Sequence, residues 1–137
     1  IQKYYKRGYM MGCANHGQAS TTGSIESGHA YSILEVWDIA ECNLKLLKIR
    51  NPWGKGEWTG RYSPNSPSWG QVPRHIRDLL GIEQGVSRIA GQPGAVEAEA
   101  WGTFFMCFED FYSHFDRIYV CKVRPSDNNG VVVGGEW

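Results

Sequence analysis

HAYSILEVWDIAECNLKLLKIRN, residues 29–51, decides the fold. Residues 29–39 alternate, which places Tyr31, Ile33 and Trp37 on one face and Ala30, Ser32, Leu34 and Val36 on the other. Residues 40–43 read as a turn and residues 44–50 as a second strand, so the pair forms an antiparallel hairpin. Asn51-Pro52 ends it, because Pro cannot donate to a strand ladder and Asn-Pro opens turns. Taken alone, Asn51 is a turn residue.

Outward from the hairpin the chain alternates strands with short helices. Residues 9–15, YMMGCAN, form an apolar run expected as a buried strand, and residues 16–27 form a polar loop. Residues 54–68 read as a loop rich in Gly, Pro, Ser and Trp. A helix is expected over 72–80, with Ile76, Leu79 and Leu80 as its apolar stripe and Gly81 as its stop. Residues 83–100 are small, polar and aperiodic and read as a flexible insertion. A strand over 103–108, helical turns over 109–115 and a strand over 118–123 close the domain. The helical turns carry Phe108, Phe111, Tyr112 and Phe115 as one stripe. Residues 1–125 make one domain, and 126–137 read as a loose tail. The class is α+β, a β-rich twisted antiparallel sheet or open barrel with short helices.

Composition excludes several partners. The 137 residues suffice for one domain with its own core. The 14 basic and 14 acidic residues cancel, which argues against nucleic acid and against docking on anionic membranes. No apolar run reaches the roughly 18 residues of a membrane span. The chain opens without Met and without a charged-apolar-small leader, and is expected to be cut from something longer. Cys13, Cys42, Cys107 and Cys121 lack C-x-x-C spacing, so zinc is not expected. They read as free, buried thiols in a reducing, cytoplasmic compartment.

His29 and Asn51 make the chemical signal. They stand 51 − 29 = 22 positions apart, yet an antiparallel hairpin brings the start of one strand beside the end of the next. An Asn side-chain oxygen there accepts from one imidazole N–H and fixes tautomer and orientation, leaving the other nitrogen for chemistry. Trp53 is placed to shield that bond from water, where a hydrogen bond is stronger. Singly, His29 reads as a satisfied strand-end residue and Trp53 as core; the joint pattern is the base-plus-orienter half of a nucleophilic triad.

GHAYS at 28–32 followed by IRNPWG at 49–54 resembles the calpain family of cysteine proteases, with the Cys-His-Asn chemistry of papain-like enzymes. RGYMMGC at 7–13, GEWTG at 56–60, PSW at 67–69 and FFMCFEDFYSHFDRIYVCKV at 104–123 extend the resemblance in order over nearly the whole chain. It implies the second half of the protease core, packed against a helical first half and acting on protein or peptide substrates. It makes His29 the catalytic base and Asn51 its orienter, and assigns Trp53 and Gly28 to shielding and the substrate cleft.

The nucleophile and the oxyanion donors would lie in the absent first half. Cys13 precedes His29 but sits in a strand-like run with no helix to lower its pKa, and is rejected as that Cys. The chain alone is expected to be inactive. Two rivals stay open: a calpain-like pseudoenzyme using the fold for binding, and a Trp-rich β domain binding peptides or glycans through Trp exposed on one face.

The family resemblance also implies a Ca²⁺ ion in this half. Glu57 matches the first of four carboxylate ligands. Pro64 stands in place of a later Asp, and Trp101-Gly102-Thr103 replaces an Asp and a Glu flanking Gly. One carboxylate of the four remains, with Glu97 and Glu99 as distant substitutes. No cofactor is expected in this half, and the calcium dependence of the longer protein is left open.

Overall fold

The hairpin forms as its pattern implies. β2 (Ala30–Ile39) and β3 (Leu44–Arg50) pair antiparallel around a 3-10 turn at Ala40–Cys42. Asn43 closes that turn at φ 49°, a left-handed conformation that Asn tolerates better than most residues. The computed structural model describes residues 1–17, 25–52, 58–64, 66–83, 86–87 and 102–122. Within them, β1 (Met10–Ala14) pairs with the free edge of β2, β7 (Arg117–Cys121) pairs with β1, and β6 (Thr103–Cys107) pairs with β3. All these pairings are antiparallel, giving one five-stranded sheet in the order β6-β3-β2-β1-β7. With the short helices α1 (Gln2–Lys6), α2 (Arg74–Leu80) and α3 (Phe108–His114), this is the β-rich α+β class.

The ladder slips once. Ile33 pairs with Ile49 and Glu35 with Lys48, which makes Leu34 the extra residue of a β-bulge. Tyr31 and Ile33 therefore share a core with Val36, while Trp37 packs into a different one. This corrects the expected Tyr31–Ile33–Trp37 face. Period two assigns faces only along an unbroken ladder, and one extra residue shifts the assignment by one.

Two cores result. One gathers Met11, Cys13, Tyr31, Ile33, Leu47, Ile49, Phe104 and Met106 under Phe111 of α3 and Phe115 just past its end. The other gathers Leu44, Leu46, Phe105 and Cys107 with Trp69 and Val72 and with Leu80 of α2. β3 is central and feeds both: Leu46 and Leu47, adjacent in sequence, point to opposite cores and both are buried.

Several element boundaries differ from the sequence reading. α2 starts at Arg74, not at Val72, because Pro73 is extended and serves as its N-cap; Gly81, at φ 77°, stops it as expected. α3 runs one residue earlier than read, and its aromatic stripe divides. Phe111 and Phe115 are buried and stacked at 5.0 Å, whereas Phe108 is 38% exposed and Tyr112 77%. So short a helix rests on one i,i+4 ridge and leaves its neighbour outside.

The described residues after the hairpin, 58–64 and 66–72, pack closely. A 3-10 turn at Pro67–Gln71, capped by Ser66, buries Trp69 completely. Trp69 Nε1 donates to the Ser63 carbonyl at 2.8 Å, and its ring meets Tyr62 and Phe105 edge-on. Trp58 is equally interior. Its Nε1 donates to the Arg61 carbonyl at 2.7 Å and its ring abuts His114 at 4.8 Å. Gly60 is bare because a Cβ there would sit inside the Trp58 ring.

Of the expected insertion over 83–100, the short hairpin β4 (Ile82–Glu83) and β5 (Val86–Ser87) is described, and the rest lies outside the described residues. The expected tail over 126–137 lies outside them too.

Candidate active site

β2 begins directly after His29 and β3 ends directly before Asn51. Ser32 pairs with Arg50, so the next step of the register brings Asn51 level with Tyr31 and sets His29 at the same end of the sheet. Asn51 is 2% exposed, and its N–H donates to the Gly102 carbonyl at 2.9 Å. That bond ties the end of β3 to the turn that opens β6. The His29 side chain stays one-third exposed, at 34%. Trp53 and Glu57 lie outside the described residues.

The approach to His29 is fixed from two directions. Gly28 adopts φ 79°, where glycine carries no Cβ penalty, and its N–H donates to the Asn15 carbonyl at 2.6 Å. Glu26 N–H donates to the Tyr31 hydroxyl at 3.1 Å. Burial pushes the Tyr31 phenol above its ordinary value, so it stays neutral at pH 7. Its ring is held edge-on by Phe104 and Phe115. The Glu26 carboxylate reaches His29 Nδ1 at 3.3 Å, an ion-pair distance rather than a directed hydrogen bond.

Two residues of this neighbourhood escaped the sequence reading. Asn15 was read only as the end of an apolar strand, although a polar residue closing such a run is a signal in itself. Glu26 is placed by its spacing of three from His29 across the Gly28 turn, a contact visible only once that turn is known.

The four thiols are free, but Cys42 and Cys121 are half-buried and not buried as expected, Cys42 lying in the turn between β2 and β3 and Cys121 at the end of the edge strand β7. Cys13 is wholly buried on β1, and burial pushes its thiol far above the ordinary range. A nucleophile must be a thiolate, so Cys13 does not fit that role. Cys107 is pushed up to about 11, first by burial and then by the Asp110 carboxylate, to which its Sγ–H donates at 3.3 Å.

Among the described residues, hollows of two sizes lie against the sheet. The larger, about 580 Å³, runs between β2–β3 and α3, away from His29, and includes Val36, Leu47, Phe111 and Tyr112 in its lining. The smaller, about 390 Å³, lies against Gly12, Ala30, Ser32, Pro52 and Tyr119. Ala30 and Pro52 are the immediate neighbours of His29 and Asn51, so the smaller hollow is the one that belongs to this end of the sheet.

The sequence profile of calpain family cysteine proteases matches residues 1–122. The chain belongs to the calpain family of cysteine proteases. Calpain-B of Drosophila melanogaster is 34% identical over 137 aligned positions, which cover 91% of this chain and 13% of the relative. The calpain-2 catalytic subunit of Mus musculus is 33% identical over 133 positions, covering 91% and 17%. That of Homo sapiens is 34% identical over 134 positions, with the same coverage of 91% and 17%. The chain thus spans less than a fifth of the length of these curated relatives.

Of the calpain-like calcium positions, Pro64, Gly102 and Thr103 are described; none carries a carboxylate, and Thr103 is buried. Among the described residues no trio of His, Cys, Asp or Glu is placed to hold a metal ion. These residues do not fit Ca²⁺. Of the described Trp, Trp58 and Trp69 are interior and Trp37 is half-buried. No described helix is long and apolar enough to cross a membrane.

Proposed function

We propose that this chain is the His- and Asn-bearing half of the protease core of a longer, intracellular cysteine endopeptidase of the calpain family. Family membership over residues 1–122 supports the chemistry. The observation that carries the reading is the convergence of residues 29 and 51 at one end of the β2–β3 hairpin, with Asn51 buried and tied to Gly102.

In this reading a Cys from the other half supplies the nucleophile. His29 takes the thiol proton, giving a thiolate–imidazolium pair. The thiolate sulfur bonds to the scissile carbonyl carbon, and the C–N bond breaks as His29 returns the proton to the leaving amine. Water then attacks the thioester, losing a proton to His29, and the acid and the thiol are released. Asn51 holds the imidazole in the productive tautomer, as the third member of such triads does. Gly28 lines the cleft, and Trp53 shields the His–Asn pair. The partners are the missing half of the core and protein or peptide substrates.

The test is made on the full-length protein with an epoxide probe for activated thiols and a peptide substrate. Labelling and cleavage are expected in the wild type, with cleavage abolished in His29→Ala. A His29→Ala protein that cleaves at the wild-type rate removes His29 from the site. A wild-type protein that neither labels nor cleaves makes the family fold here a binding module.

A further inference from the structure

Asn15 follows the Ala14–Ala30 pair, the last of the β1–β2 ladder, and its side chain is wholly buried. Both ends of its amide are used: Nδ2 donates to the His114 carbonyl at 2.9 Å, and Oδ1 accepts from Gly17 N–H at 2.7 Å. Its main-chain carbonyl accepts from Gly28 N–H at 2.6 Å. The flanking residues repeat the attachment. His16 N–H donates to the Asp116 carboxylate at 3.0 and 3.1 Å, and Asp116 N–H donates to the Ala14 carbonyl at 3.1 Å.

The 15–17 turn is therefore fastened to the corner between α3 and β7, and the Gly28 turn is fastened to it. His29 is the next residue. Gly28 sits in a left-handed conformation with open space where a Cβ would be, so side-chain packing at that position does not hold the turn. The bond to Asn15 holds Gly28 itself, and the Glu26 N–H to Tyr31 hydroxyl bond holds the turn two residues earlier.

We propose that Asn15 is a positioning residue for His29: its buried amide locks the 15–17 turn to the α3–β7 corner, and its carbonyl fixes Gly28 so that the imidazole projects from a rigid base. This rests on the reading of His29 as the catalytic base. Rigid support matters because a misplacement of about 1 Å in a reacting group costs on the order of a hundredfold in rate.

The experiment uses the full-length protein. Asn15→Leu keeps the volume and removes the amide; Asn15→Ser, smaller and still polar, is the second variant should the first not fold. Leu80→Ala, in the other core, is the control for lost stability alone. Active sites are counted with the epoxide probe, kcat and KM are measured per counted site, and amide exchange is followed by peptide across residues 25–33 and 44–50. The expected result is a ten- to hundredfold fall in kcat per site with KM within twofold, on the scale of such misplacements. Exchange should quicken at Gly28 and not in β3. Leu80→Ala should lower the melting temperature and leave kcat per site unchanged. An unchanged kcat per site, unchanged Gly28 exchange, or an equal kcat loss in Leu80→Ala overturns the proposal. If His29→Ala stays active, the base reading has failed; Gly28 exchange in the Asn15 variants then decides separately whether Asn15 holds the loop.

Discussion

Arg61 grips Asp110 with two donors, Nε to Oδ2 at 3.2 Å and Nη2 to Oδ1 at 3.0 Å, and so pins the loop behind Trp58 to the first turn of α3. Burial alone would raise the Asp110 carboxyl. The hydrogen bonds from Arg61 and Cys107 and the charge of Arg61 together outweigh it and hold the group below its ordinary 3.8. A depressed folded-state pKa gives stability that is present above the unfolded value and lost as pH falls through the folded one. Arg61 is more than half exposed, so solvent screens the pair. Asp110→Asn is expected to lower stability at pH 7 by at most about 1 kcal/mol. Denaturant titrations should show the wild type and the variant converging as the pH drops below 3.8. A difference that persists undiminished in acid would show that the carboxylate charge is not the source.

Gly60 is a packing constraint with a steric cause. Because a Cβ there falls inside the Trp58 ring, Gly60→Ala must displace an indole that is bonded to the Arg61 carbonyl and packed on His114. Overpacking of this kind costs about 1–3 kcal/mol. Thermal unfolding of the variant should show that loss, and a neutral result would mean that the ring relocates freely.

Asn51→Ala in the full-length protein should reduce kcat by about ten- to a thousandfold, less than His29→Ala, because in the proposed reading Asn51 orients the base and does not react. Steady-state kinetics on both variants orders the two effects. Equal, complete loss in Asn51→Ala with intact folding would mean that Asn51 takes part in the chemistry directly.

Alkylation should sort the thiols by burial. Cys42 and Cys121 are half-buried, and their alkylation in the native protein is expected to be faster than that of Cys13 and Cys107. Mass spectrometry of native and unfolded protein treated with iodoacetamide reads all four. Rapid native labelling of Cys13 would contradict its place in the core.

Calcium should not bind this half at signalling concentrations. One carboxylate of the family's set is left in the sequence, while Ca²⁺ takes six to eight oxygens with several anionic. Calorimetric titration should give a dissociation constant no better than about millimolar. A micromolar value would imply ligands from elsewhere in the chain.

The strands were legible because each strand is long and apolar enough to announce itself. Met10–Ala14, Leu44–Arg50 and Thr103–Cys107 fall within a residue of their expected bounds. The hairpin geometry followed from two adjacent strands, and with it the placing of residues 29 and 51 at one end of the sheet. What the pattern hid depends on contacts distant in sequence. Trp58 and Trp69 sit in stretches rich in Gly, Pro and Ser that read as surface, yet each indole finds a carbonyl acceptor and a core to enter. The division of the α3 stripe depends on where the helix meets the sheet. Asn15 gives no periodic signal, since its importance lies in a carbonyl 99 residues away.

Leu34 gives β2 one more residue than β3 requires. Remove it, and each recorded pair on either side, Ile33 with Ile49 and Glu35 with Lys48, is already in phase with an unbroken ladder. Deletion of an interior residue farther along β2 would restore the ladder only by shifting the residues between it and the bulge by one place, which reverses their faces. The strand therefore has a single slot at which its length is free to vary, half-way between the candidate site and the turn, and relatives that differ in strand length should differ there.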